Sequence, residues 1–221
     1  MPSNKSSSQD LLNYLKINGP TLSSELVYHF GISRPTLSRR VQELGNAVVS
    51  IGSARATQLA ARHEAFPAAI PLYSVQENGQ IELIGHLSPL LEGERTQWLL
   101  APSNAPASLF EGEFKNGLYP GWPWFLEDLR PSGFLGRSFG RYMAEVHQID
   151  SNPEKWSDLD LLKALMSHSF NLHGNFLVGD SRALASYQDM RISLAEGTYH
   201  KVSSVEYTFF AQSSLSEGEE F

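Results

Sequence analysis

The chain of 221 residues has no cysteine, so disulfide frameworks, zinc-thiolate sites and thiol nucleophiles are excluded together. It also lacks any long apolar run. Met1 to Asp10 is polar and serine-rich with nothing hydrophobic behind it, so neither a signal peptide nor a membrane span is expected, and the expected location is a bacterial-type cytoplasm. Seven histidines are present without an H-E-x-x-H pattern, and His168 with His173 is a poor spacing for two ligands. No metal and no cofactor is expected. What remains is long enough for one large domain or two small ones with a real core.

The net charge of -7 conceals an asymmetry. Residues 1–62 hold seven basic and three acidic side chains, a net +4, whereas residues 63–221 hold ten basic and twenty-one acidic, a net -11. A small head able to approach a polyanion is joined to a body that repels one.

Within the head, Leu11, Leu12 and Leu15 mark an amphipathic helix that stops near Asn18-Gly19-Pro20. A second helix begins with Thr21 as its expected cap, carries Leu22, Leu26 and Phe30 on one face, and ends at Gly31. A third runs from Ser33 to Leu44, with Ser33 as cap and Pro35 in the first turn, where no backbone donor is lost. Leu37, Val41 and Leu44 give it a buried side, and Thr36, Arg39 and Gln42 face out with Arg34 and Arg40 flanking. Two helices on so short a turn, the second basic, are a helix-turn-helix pattern. The strand-like runs Ala47 to Ile51 and Ala56 to Leu59, joined by Gly52-Ser53-Ala54-Arg55, add a hairpin of the kind called a wing. The reading is double-stranded DNA binding, with pairing as a homodimer on a palindrome expected because a single module binds weakly. Arg39 is suited to a guanine edge, and Thr36 to a base edge or a thymine methyl, with Ser38 beside them. Arg34, Arg40 and Arg55 are suited to phosphates. The alternatives for the same segment are a helical unit packed only on its own chain and a winged helix used for protein contacts.

Arg62 to Pro67 reads as a linker. Beyond it, Ile70 to Val75 and Gln80 to Leu87 are strand-like about the turn Glu77-Asn78-Gly79, and Arg95 to Ala101 and Ser108 to Phe114 supply further strands of a small antiparallel sheet or partly closed barrel. The aromatic run from Tyr119 to Phe125 resembles a stacking platform, but clustered Trp and Phe more often build a core. Arg130, Arg137 and Arg141 either align as an anion-binding face or pair with Glu127, Asp128 and Glu145. Helices follow around Leu159 to Met166 and Asp180 to Met190, then a loosely alternating stretch from Ile192 to Ala211. Gly179 reads as a turn and Asp180 as a cap. The fold class is therefore α+β: a winged helix-turn-helix over 1–62, a β-sheet subdomain with helices over 68–211, and an acidic tail over 212–221.

The run from Leu126 to Arg137, with Asp128, Arg130, Pro131, Gly133, Gly136 and Arg137, resembles the signature in the N-terminal subdomain of HipA-like serine/threonine kinases, the toxins of toxin-antitoxin systems. Asp160-Leu161-Leu162 and His173 to Asp180 resemble the next helix and strand of that family, and the nearest likeness is to its winged-helix, YjjJ-type subfamily. The resemblance implies an accessory subdomain at 68–211 and a phosphate loop near the tail. Ser213 to Phe221 looks like a degraded version of that loop, with Glu219 and Glu220 repelling a triphosphate. The family's catalytic aspartate and metal ligands belong further on, so this polypeptide is not expected to transfer phosphate by itself. The expected role is a DNA-binding regulator-like portion of a toxin kinase. The alternatives are an antitoxin-like subunit docking on a separate kinase lobe, or a truncated remnant.

Overall fold

The computed structural model describes residues 7–168 and 175–196, with Arg55, Phe134, Leu135 and parts of the last helix described as backbone only. The sequence expectations for His173 and for 197–221, the acidic tail included, lie outside the described residues. The chain forms two compact units, one through Ala183 and one from Leu184.

The head opens with α1 (Ser8–Asn18). Ser7 and Asp10 form a reciprocal cap: the Asp10 amide donates to the Ser7 hydroxyl at 3.2 Å and the Ser7 amide to the Asp10 carboxylate at 2.6 Å. These bonds hold the Asp10 carboxyl below the usual carboxylate range. Leu11, Leu12 and Leu15 are buried, as their spacing requires. Then come β1 (Thr21–Leu22), α2 (Ser23–Phe30), α3 (Arg34–Leu44), β2 (Val48–Ile51) and β3 (Gln58–Ala61). The three strands form one antiparallel sheet in the order β1-β3-β2.

Two expectations for the head are corrected. Thr21 does not cap α2: it pairs with Leu59 in the sheet, and its hydroxyl donates to the Gly19 carbonyl at 2.9 Å. Strand pairing has taken the extended residues that a cap would need, so Leu22 precedes the helix with no side-chain bond. The second hairpin strand also starts later than Ala56, because Ala54–Ala56 close into a 3-10 turn with Ala54 at φ +53°.

In the body, β4 (Ile70–Val75), β5 (Ile81–Glu92), β6 (Arg95–Pro102), β7 (Leu118–Tyr119) and β8 (Phe176–Val178) make a five-stranded antiparallel sheet ordered β7-β6-β5-β4-β8. It is open, not a closing barrel, since β7 and β8 are its two edges. Asn78-Gly79 turns β4 into β5, with Gly79 at φ +77°. The strand expected over Ser108 to Phe114 is two 3-10 turns, Ala107–Phe110 and Gly112–Phe114. Gly112 at φ +60° breaks the extended path, and the buried Tyr119 hydroxyl donates to the Leu109 carbonyl in place of a strand partner. Burial also pushes the Tyr119 phenol up to about 12.

Helices α4 (Gly133–His147) and α5 (Asp158–His168) share a core with this sheet through Trp98, Leu100, Leu126, Met143, Leu161 and Leu165. Most of the aromatic run is core: Phe125 is buried, and Trp122 packs edge-on against Trp98 at 4.8 Å, while Trp124 stays 56% exposed. Helix α6 (Ser181–Ala195) continues through Ile192, where the sequence suggests alternation. In the second unit the Arg191 guanidinium lies 6.0 Å from the Tyr187 ring centre.

Head and body are fastened together within the first unit. The hairpin feeds a core from each face: Val48, Leu59 and Ala61 point into the head core, whereas Ile51 and Ala60 pack with Leu90 and Leu99 of the body sheet. Arg62 to Pro67, read from sequence as a linker, begins inside this joint. The Arg62 amide donates to Ala47 and the His63 amide to Pro89, each at 2.9 Å. The Arg62 guanidinium donates to the Asn46 and Val48 carbonyls at 3.0 and 3.3 Å, and burial pulls its pKa down. Gly19 sits so close to Glu92 that a Cβ there would lie 2.9 Å from the Glu92 side chain.

Leu90→Ala empties the middle of this seam and is expected to cost about 2–5 kcal/mol. In a urea titration it should lower the midpoint of a single transition for the first unit. Two separated transitions in the wild type would show that head and body unfold independently.

Burial also pushes the imidazoles of His63, His147 and His168 below the ordinary histidine value. A histidine kept neutral by the fold binds fewer protons folded than unfolded, so its contribution is complete above about pH 6.5 and is lost as pH falls through the lowered folded values. The urea midpoint should therefore drop as pH is taken from about 7 to 5, ahead of carboxylate titration. A triple His→Gln variant should have a flatter profile over that window, and an unchanged slope would contradict the assignment.

Candidate nucleic-acid interface

Gly31, at φ +57°, ends α2, and its amide donates to the Tyr28 carbonyl. Ser33 then caps α3, its hydroxyl accepting from the Thr36 amide at 3.3 Å. Pro35 lies in the first turn, and Leu37, Val41 and Leu44 face the head core. The turn and cap thus fix the axis of α3, and the apolar side fixes its rotation.

The rotation decides which polar side chains are available. Arg34, Ser38, Arg39 and Gln42 are exposed. Arg34, Ser38 and Gln42, four residues apart, line a groove of about 300 Å³ between α3, Ser24 at the start of α2, and Ser50 and Thr57 of the hairpin. Arg39 stands further round the helix, loosely paired with Glu43 at 3.7 Å and 72% exposed. Glu43 also accepts a hydrogen bond from Ser8 of α1. Thr36 is half-buried, and its hydroxyl is engaged with that of Ser33 at 2.9 Å.

Arg40 is not where the sequence suggests. Expected at the flank of the outward face, it is only 8% exposed and lies on the side of α1, where its charge helps hold the Asp10 carboxyl down. The reason is helical phase: at 100° per residue, position 40 falls beside Leu37 and Leu44 and away from Arg34. Arg55 belongs to the 3-10 turn of the hairpin, and its side chain lies outside the described residues. The line formed by Arg34, Ser38 and Gln42 is legible as a four-residue spacing, but its partners Ser24, Ser50 and Thr57 come from other elements and carry no local signal.

In the signature segment of the body, Arg130, Pro131 and Gly136 are engaged in packing and ion pairs. Arg130 donates to Glu127 at 2.8 Å and to Asp158 of α5 at 3.1 Å. Burial alone would lower its pKa, and these two carboxylates more than offset that. Pro131 is buried and Gly136 packs on it, so a Cβ on Gly136 would lie 2.7 Å from the Pro131 carbonyl carbon. Gly133 takes φ +64° at the entry to α4. Because Pro131 separates Arg130 from α4, Arg130 shares no helix face with Arg137 and Arg141, and Arg137 and Asp128 are exposed. Gly140 is not signalled by the sequence: a Cβ there would meet the Ser151 carbonyl oxygen at 2.4 Å, which is what lets α4 lie against the turn before α5. Among the described residues, no cluster of three His, Asp or Glu side chains is placed to hold a metal ion, and no helix is long and apolar enough to cross a membrane.

The family described as YjjJ-like toxin, middle domain, matches residues 66–187, just over half the chain and most of the body sheet with its helices. The chain belongs to the YjjJ-like toxins. Toxin YjjJ of Escherichia coli (strain K12) is 31% identical over 170 residues, covering 76% of this chain and 36% of that protein. The chain thus spans about a third of the length of the curated relative it matches. No solved structure matches it.

Arg40→Ala removes a buried guanidinium that faces α1 and is expected to lower stability by about 1–3 kcal/mol. Arg34→Ala, on the exposed groove wall, should change it by less than about 0.5 kcal/mol. Urea denaturation of the two variants checks the assignment, and equal stabilities would contradict it.

Proposed function

We propose that residues 8–61 are a winged helix-turn-helix that binds double-stranded DNA, and that the chain is the DNA-addressing portion of a HipA-like toxin kinase. The observation that carries this reading is the exposed row Arg34, Ser38 and Gln42, with Arg39 beside it, on a short capped helix next to a hairpin. The order helix, strand, two helices and hairpin supports the winged-helix assignment, and the +4 charge of residues 1–62 supports a polyanionic partner. In this reading α3 enters the major groove, Arg39 leaves its weak pair with Glu43 to reach a guanine edge, and Arg34 meets a phosphate. The acidic body, fastened to the back of the hairpin, is repelled by the duplex and fixes one approach. Two copies on a palindromic site in the cytoplasm complete the proposal, and any kinase activity is proposed for a protein of the relative's full length.

Fluorescence anisotropy with the gene's own upstream duplex and a scrambled duplex tests this across a salt series. Binding should weaken steeply with salt. Arg34→Ala should reduce the salt slope by about one ion on both duplexes, while Arg39→Ala should lower mainly the preference for the specific one. Absence of duplex binding even at about 50 mM salt, where such contacts are strongest, would refute the reading.

A further inference from the structure

The groove residues differ in how far they are already committed. Thr36 is tied to Ser33, Arg39 leans on Glu43, and Arg40 is turned toward α1. Gln42 is exposed on the groove wall, and its amide makes no hydrogen bond among the described residues. It stands three residues after Arg39, so the two side chains are neighbours on the outer surface of α3 about one turn apart.

A glutamine amide offers one donor and one acceptor in a planar fork, which complements the acceptor N7 and donor N6 of adenine in the major groove; a guanidinium has only donors and suits guanine. We infer that Gln42 is a second sequence-determining residue, reading an adenine one or two base pairs from the guanine assigned to Arg39. The DNA site then carries two separately addressable positions, with Arg34 contributing affinity but no sequence information. This inference rests on the DNA-binding proposal above. The fork is held at the right height because Val41 is packed in the head core and the last turn of α3 is closed by Gly45, whose amide donates to the Val41 and Gln42 carbonyls.

The test is selection of bound duplexes from a randomised library by the full chain, followed by affinities for single-base variants of the winning site. The wild type should prefer adenine at one position by about tenfold. Gln42→Ala should lose that preference while keeping the guanine preference. Gln42→Glu should move it to cytosine, whose N4 amine donates to a carboxylate. A switched preference cannot arise from partial unfolding, so it separates recognition from stability. Wild-type selectivity that neither Gln42 variant alters, or a wild-type site that selects guanine but no adenine, overturns the adenine assignment alone. A wild-type chain that captures no duplex overturns the DNA-binding proposal itself.

Discussion

The hairpin of β2 and β3 carries buried apolar residues on both faces, and the arrangement of the first unit depends on that constraint. Val48, Leu59 and Ala61 complete the core formed by the head helices, and Ile51 and Ala60 complete a second cluster with Leu90 and Leu99 of the body. A hairpin at the edge of an independent domain turns one face to water, with polar residues alternating along each strand. Here the alternation is between two cores, so neither head nor body buries its apolar surface fully without the other. The Arg62 guanidinium, half-buried and bonded to two carbonyls of the preceding turn and strand, closes the joint at its end.

That rigidity gives the groove a fixed wall. Ser50 and Thr57 belong to a hairpin held from behind, Ser24 starts a helix whose end is locked by Gly31, and the axis of α3 is set by the Ser33 cap. The exposed side chains of α3 therefore project from a surface with little freedom to adjust. For the DNA binding proposed above, this is the preorganisation that a stiff duplex favours, because ordering costs are met in folding and not in binding. The charge division between head and body then acts through a fixed geometry.

The signature segment in the body has a related logic. Arg130 ties the turn before α4 to α5 through Asp158, and Gly136 and Gly140 are places where α4 touches backbone. Arg130, Gly136 and Gly140 thus place helices against their neighbours in the body. Residues that look chemical in a linear reading, Arg130 and most of the tryptophan cluster, serve as a tie and as core. Trp98 and Trp122 meet edge to face inside the body.

Local order was legible because it is local. The cap at Ser33, the stops at Gly19 and Gly31, the Asn78-Gly79 turn and the apolar periodicity of α1 and α3 depend on neighbours a few residues away, and each occurs where the sequence places it. The sequence by itself thus determined the helices of the head, most strands of the body and the cationic character of α3. Tertiary structure decided what no short window contains: that Thr21 joins a strand across from Leu59, and that a hairpin serves two cores. Those outcomes are set by contacts between segments tens of residues apart, where burial of the whole surface outweighs the preference of any one position.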